Sequence, residues 1–430
     1  MSIDADIESE LAGATQLELA AFYGSAVRLA FHDATEHDIT AGSGDLNGPD
    51  GCLSNDGANA GLLEADSLTM FTFENIWQDY CDLISRADFW VLVAHLSLYR
   101  SVGAISSPVD AVAIEMGPFH YGRVDNTVGC NSGAGRLPNA QLGLEEITRV
   151  FINQMGLTMN ESVYLIGGGH SLGNVHINIS GYGIPVTVDN YESSLLASFN
   201  AWDNSPNKFD NFYFQEVLKT WINTQPSGSS YPNFWQKSPL FRLVMFNTDV
   251  ALVYNHTGGD YDKLNNGVGV INQKCGPTRG SDGGVGCSDP DRTVAKVPTY
   301  DLVVEIAADS ANAVLYRGFV PAWNKMVNVG YGVPADAEGS TSTGRLGTLT
   351  SMELDNCWPT ASPTATPTFE PSAVPSAVPT ATPEPTFTPS AVPSPTPTAS
   401  PEPTFVPSQV PSAVPSVTPS AVPTATPVRS

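Results

Sequence analysis

Twenty of the 34 prolines in this 430-residue chain fall after Trp358, commonly at every fourth residue, in Pro-Ser-Ala-Val-Pro and Pro-Thr-Ala-Thr-Pro runs. Each proline fixes φ and removes a backbone donor, so neither a helix nor a sheet ladder can be built there. Residues 358–430 therefore read as a disordered, polyproline-like tail, solvated and semi-rigid. Only Glu370, Glu384, Glu402 and Arg429 carry charge in it. Its serine and threonine content fits a glycosylated stalk or wall tether, and equally a tail with no specific partner. Folding is left to residues 1–357, which read as one mainly α domain.

Helix-spaced apolar residues predict helices over Leu17 to Phe31, Ala58 to Trp77, Asp82 to Tyr99, Gln141 to Met155, Asp210 to Trp221 and Tyr300 to Val327. The Gly- and Asp-rich stretch Asn265 to Arg292 reads as a loop, with Cys275 and Cys287 close enough for a local disulfide; the partners of Cys52, Cys81, Cys130 and Cys357 cannot be deduced. No apolar run approaches 18 residues, so no membrane span is expected. The formal charge of −25 argues against nucleic-acid partners. No basic-then-apolar leader is visible, yet an even set of six cysteines and sequons at Asn160, Asn178 and Asn255 favour a secreted or wall-associated glycoprotein.

Two segments carry chemistry. In Arg28-Leu-Ala-Phe-His32-Asp33-Ala34 a fixed cation and a titratable base stand one helical turn apart, on one face. Such a pair can move a proton while stabilising negative charge on one small ligand. Far downstream, Leu165-Ile-Gly-Gly-Gly-His170-Ser171-Leu-Gly173 offers a second histidine.

These segments resemble the distal and proximal motifs of the plant, fungal and bacterial haem peroxidases. The resemblance continues in order through Ser85-Arg-Ala-Asp88-Phe89, Gly117-Pro-Phe-His-Tyr-Gly122-Arg123-Val-Asp125, Gly135-Arg-Leu-Pro-Asn-Ala140, Met155-Gly-Leu157, Trp202-Asp-Asn-Ser-Pro-Asn-Lys-Phe-Asp210-Asn211 and Asn247-Thr-Asp249-Val-Ala-Leu252. It implies a two-part helical fold with haem b between distal and proximal halves. It implies that His170 ligates the iron, that Asp249 makes that imidazole more basic, and that His32 moves the proton of hydrogen peroxide. Arg28 stabilises developing charge, and Asn59, in Gly57-Ala-Asn59-Ala-Gly-Leu62, orients His32. The family's glutamate that braces this asparagine falls at Leu53, so the brace is missing or supplied elsewhere. Asp88 and Arg123 read as a buried ion pair. His120 reads as structural, His176 matches a haem-propionate contact of the ascorbate peroxidase branch, and His37, His95 and His256 have no assigned role.

The chain mixes branches. Phe31 is the distal aromatic of the secreted enzymes, whereas Trp202 matches the proximal tryptophan of the intracellular ones, as a radical carrier or as a packing aromatic. Ser171, Asp203, Ser205, the Lys208 carbonyl and Asp210 match the proximal calcium pattern of secreted fungal members. Asp33, the Gly48 carbonyl and Asp50 match a distal calcium set, but the usual serine is Cys52. A manganese site is not expected, since Ala21, Ser25 and His176 stand at its ligand positions. Leu165 replaces the surface tryptophan of lignin peroxidases, and Phe22 and Ile179 replace the basic residues of ascorbate peroxidases. The reading is a monomeric haem peroxidase that reduces hydrogen peroxide and oxidises small, phenol-like donors. Its competitors are a calcium-stabilised adhesive or wall-bound module with a degenerate site and, weakly, a haem-free metal hydrolase using His32 and Asp33.

Overall fold

The computed structural model describes residues 2–40, 48–54, 57–62, 68–102, 114, 116, 119–126, 130, 135–183, 200–224, 232, 234–237, 243–254, 274–276, 286–287 and 297–331. The expected domain boundary at 357/358, the proline-rich tail, His256 and the Asn255 sequon lie outside these residues.

The fold is mainly α. Helix α1 spans Ile3–Glu10, α2 Gln16–Ala34, α3 Leu68–Gln78 and α4 Arg86–Ser101. α2 starts in a capping box: Glu18 N donates to Thr15 Oγ1, and Thr15 N donates to Glu18 Oε2 at 2.7 Å. It packs along α4 and also touches α3, burying Phe22, Ala26, Leu29 and Ala30. Helix α5 (Leu144–Ile147) runs on as a π-helix over Thr148–Gln154 and stops at Gly156, whose φ is +71°. A second capping box, Thr158 with Glu161, opens α6 (Met159–His170). Short helices α7 (Ile177–Ser180), α8 (Phe212–Val217) and α9 (Asn247–Val250) follow, then α10 (Tyr300–Ala308) and α11 (Ala313–Val327).

α11 packs on α6 through the glycines of both. A side chain at Gly168 would strike the Phe319 ring, and one at Gly318 the Tyr164 ring. The ion pair expected of Asp88 and Arg123 forms at 2.6 Å, fully buried, and Arg123 reaches on to the Val327 carbonyl and Asn328. α4 is thereby tied to the end of α11.

Three helix expectations need correction. The stretch from Ala58 to Trp77 is not one helix: a 3-10 turn at Gly57–Asn59 leads to Gly61 at φ +78°, and the helix begins at Leu68. The span Tyr300–Val327 is broken between α10 and α11, where Asp309 accepts from Ala311 N and Val314 N and Asn312 takes φ +59°. α8 ends at Val217, because Trp221 opens a strand.

That strand belongs to an antiparallel sheet that the sequence reading lacked. Its strands are β1 (Trp221–Thr224), β2 (Phe234–Gln236), β3 (Val244–Met245), β4 (Lys274–Gly276) and β5 (Gly286–Cys287), in the order β3-β2-β1-β4-β5. Trp235 pairs with Met245, Trp221 with Cys275, and Cys275 with Cys287 directly opposite. The sheet positions the proximal side. Val244 N donates to the Ala201 carbonyl at 2.9 Å, beside Trp202, and β3 runs straight into Phe246 and α9.

Candidate active site

α2 places Arg28 and His32 on successive turns of one face. His32 Nδ1 meets Asn59 Oδ1 at 2.9 Å. The amide is oriented from behind, since Asn59 Nδ2 donates to the Ser54 carbonyl at 2.9 Å. Asn59 therefore presents oxygen, so His32 carries its proton on Nδ1 and a lone pair on Nε2. The Ser54 carbonyl supplies the brace for which Leu53 has no polar atom. Phe31 stacks on Phe151 with centroids 5.7 Å apart and stands edge-on to His32.

Arg28 Nη2 donates to the Ala60 carbonyl at 3.1 Å. The residue is solvent-accessible, yet it is sunk so deep that burial pulls its pKa down to about 10. Accessible and deep together describe the wall of a recess. His176 shows the same combination: it is accessible, while burial and then the Arg28 charge lower its pKa. His176, just after α6, thus lies within reach of the Arg28 charge.

α6 ends on His170. Its Nδ1 lies 2.7 Å from Asp249 Oδ1, which fixes the proton on Nδ1 and leaves a lone pair on Nε2. Trp202 stacks on the ring at 4.1 Å and 14°, and Phe246 meets it edge-on. Asp249 has no exposed surface and accepts four bonds. His170 and Tyr213 Oη both reach Oδ1 at 2.7 Å, while Trp202 Nε1 and Phe246 N reach Oδ2 at 3.0 and 2.7 Å. Motif reading missed Tyr213, and the only cue was its place eleven residues after Trp202. Two imidazoles held through Nδ1, with an arginine and a third histidine on the wall of a recess, fit a planar anionic iron porphyrin.

The proposed proximal cation residues also gather. Ser205 N donates to Asp203 Oδ1 at 2.7 Å, and Ser205 Oγ bridges Asp203 and Asp210. Asp203 Oδ2 is buried and makes no hydrogen bond among the described residues. Burial, and then the neighbouring Asp210, pushes the Asp203 carboxyl well up; burial lifts Asp210 to about 6. Lys208 N donates to the Ser205 carbonyl, and Ser171 Oγ donates to the Gly168 carbonyl at 2.7 Å. Ser171 opens a loop tied to this segment through Gly173 N and the Pro206 carbonyl. Among the described residues no three His, Cys, Asp or Glu side chains converge on one point, so an ion here would lean on hydroxyl and carbonyl oxygens, as hard cations do.

The distal set differs. Asp33 spends its carboxylate on Asp50 N and Gly51 N, and Asp50 accepts from Cys52 N. Burial, and then Asp50, raises Asp33, while Asp50 itself is raised to about 6 by burial. Cys52 is bonded to Cys130, so a disulfide sulfur stands where the serine oxygen is expected. Gly48 lies against the Val329 carbonyl. Cys81 is disulfide-bonded as well. His95 is buried between Phe119 and Trp323.

A family model described as Peroxidase matches residues 7–264. L-ascorbate peroxidase 3 of Arabidopsis thaliana is 32% identical over 201 residues, 45% of this chain and 55% of that protein. The cytosolic L-ascorbate peroxidase 2 of Oryza sativa is 31% identical, over 45% and 63%. The mitochondrial cytochrome c peroxidase of Emericella nidulans is 30% identical, over 57% and 59%. The chain thus spans less than two thirds of the length of these relatives.

Proposed function

Because the chain belongs to the haem peroxidase superfamily, we propose that it reduces hydrogen peroxide at a haem b held by His170 and oxidises small one-electron donors, phenols among them. The carrying observation is the matched pair of histidines, each anchored through Nδ1 by a side chain that is itself fixed, with Arg28 sunk beside one of them. When bound, the haem supplies the iron centre that takes up the oxidising equivalents.

The chain's residues divide the remaining work. His32 Nε2 would take a proton from hydrogen peroxide and return it to the oxygen that leaves as water. Asn59 keeps that lone pair available by holding Nδ1–H. Arg28 would stabilise the negative charge that grows as the O–O bond lengthens. Asp249 holds His170 in register and makes it a stronger ligand. Phe31 and Trp202 would pack against the bound haem, and His176 would contact a propionate.

Donor choice rests on the rim. Ile179 keeps 41% of its surface and packs beside Gly61, next to the carbonyl that Arg28 holds. An apolar rim favours an aromatic donor over an anionic one. Phe22, at the position of the other ascorbate-branch basic residue, is buried against Phe73. The ascorbate and cytochrome c named for the relatives are accordingly not carried over. A calcium ion at Asp203, Ser205 and Asp210 is part of the proposal, supported by the orphaned Asp203 oxygen; the distal set has weaker support. The disulfides favour an oxidising compartment, so the proposal includes secretion, monomeric state and a wall or matrix tether through residues 358–430. The relatives carry cytosolic and mitochondrial names, and no described helix is long and apolar enough to cross a membrane.

Stopped-flow absorbance after reconstitution with haem b tests the proposal. A Soret band that shifts with hydrogen peroxide and returns on adding a phenol is expected. Absence of the band overturns the haem assignment. A band that phenols do not restore overturns the donor class.

A further inference from the structure

We propose that Tyr213 tunes the proximal histidine: its hydroxyl shares the Asp249 oxygen that holds His170 and limits the negative charge the carboxylate passes to the imidazole. The inference rests on the reading that His170 ligates haem iron.

The geometry is specific. Asp249 Oδ1 accepts from His170 Nδ1 and from Tyr213 Oη at the same 2.7 Å, and Oδ2 is already engaged by Trp202 Nε1 and Phe246 N. With four donors on one carboxylate, both oxygens are fully used. Donors on a common oxygen compete for its electron density, so each weakens the pull available to the other. Hydrogen bonds to an ionised group are the strong kind, and removing one donor is therefore felt by its neighbour. Tyr213 is fully buried, and burial followed by the Asp249 charge raises its pKa far above the ordinary tyrosine value.

The ring is admitted by a gap in α6. A Cβ on Gly167 would stand 2.8 Å from Tyr213 Cε1 and would strike the Phe214 ring. Gly167 thus lets the tyrosine ring come close to the helix while its hydroxyl reaches Asp249. Tyr213 is a positioning residue, since it acts on the iron ligand only through the carboxylate. A stronger Asp249–His170 bond gives the ring more imidazolate character, and a more electron-rich ligand stabilises the higher oxidation state.

The test uses the full chain reconstituted with haem b and two readouts that simple packing does not move: the Fe–His stretching band of the ferrous protein and the Fe(III)/Fe(II) midpoint potential. Tyr213→Phe removes one hydroxyl and keeps the ring. The band should rise in frequency and the potential should fall. Replacing Tyr213 with 3,5-difluorotyrosine gives a more acidic, stronger donor and should move both the opposite way. If the Phe variant does not fold, the fluorinated protein decides alone. Unmoved band and potential overturn the proposal, even if the melting temperature drops, and so do shifts of the reverse sign. Absence of an Fe–His band in the unmodified protein overturns the ligation reading itself.

Discussion

Gly24 on α2 and Gly173 just after α6 meet backbone to backbone. A Cβ built on Gly24 would lie 2.6 Å from the Gly173 Cα, and Gly173 takes φ +83°. This contact stands one helical turn before Arg28 and three residues after His170, so it spaces the two candidate catalytic segments. Gly24→Ala should force them apart. The usual gain of alanine over glycine in a helix, about 1 kcal/mol, is outweighed by overpacking of roughly 1–3 kcal/mol. Thermal unfolding and haem titration of the variant should show lower stability and weaker haem retention. An unchanged or raised melting temperature would count against this spacing role.

His32→Leu should leave the Soret band in place and slow the reaction with hydrogen peroxide by about a hundred- to ten-thousand-fold. Asn59→Val should slow it less, since the base remains but its Nδ1 loses the acceptor at 2.9 Å. Rapid-mixing rates for both proteins check the order. Equal rates for the His32 variant and the parent would remove His32 from the proton path.

The buried Asp203 oxygen sets a test whose sign depends on calcium. With the ion bound, chelation lowers the melting temperature, by about 2.7 kcal/mol of stability at a hundredfold excess of calcium over Kd. Asp203→Asn should then melt lower than the parent and ignore chelator. Without an ion, the substitution relieves a buried carboxylate with no donor on Oδ2, and the variant melts higher. Calorimetry with and without chelator separates the two.

His95 predicts an acid weakness. Burial, the main cause, pushes its pKa down to about 4, against 6.5 in the unfolded chain. Below pH 6.5 the unfolded state takes up a proton that the folded state refuses, so stability falls with acidification until about pH 4, by at most about 1.4 kcal/mol per pH unit. Denaturant titrations at pH 7 and pH 5 should differ less for His95→Gln than for the parent. An equal loss in both would clear His95 of the effect.

What could be read from the sequence was what repeats or recurs at fixed spacing. The Arg28–His32 face shows because one helical turn separates two chemically distinctive residues. The Asp88–Arg123 pair was legible through the family resemblance of its two segments, and the need of a buried charge for a partner marked it as structural. The sheet was not, since its strands are two to four residues long and too short for alternation to register. The break between α10 and α11 was hidden because apolar spacing continues across it, while the Asp309 side chain and the left-handed Asn312 interrupt the helix. The Ser54 brace was invisible for a different reason: it is a backbone carbonyl, and no residue type announces it. Tyr213 depends on the flat surface of Gly167, a packing fact with no one-dimensional signature.

The Cys52–Cys130 bond joins the segment leading into Ser54 and Asn59 to a point 78 residues further along the chain. The segment that orients Asn59, and through it His32, is therefore fixed at its start by a disulfide. On the proposed role of His32, protein with these two thiols unpaired should react more slowly with hydrogen peroxide than the disulfide-bonded form. Thiol titration beside the absorbance spectrum and the rate with hydrogen peroxide is the measurement that checks this dependence.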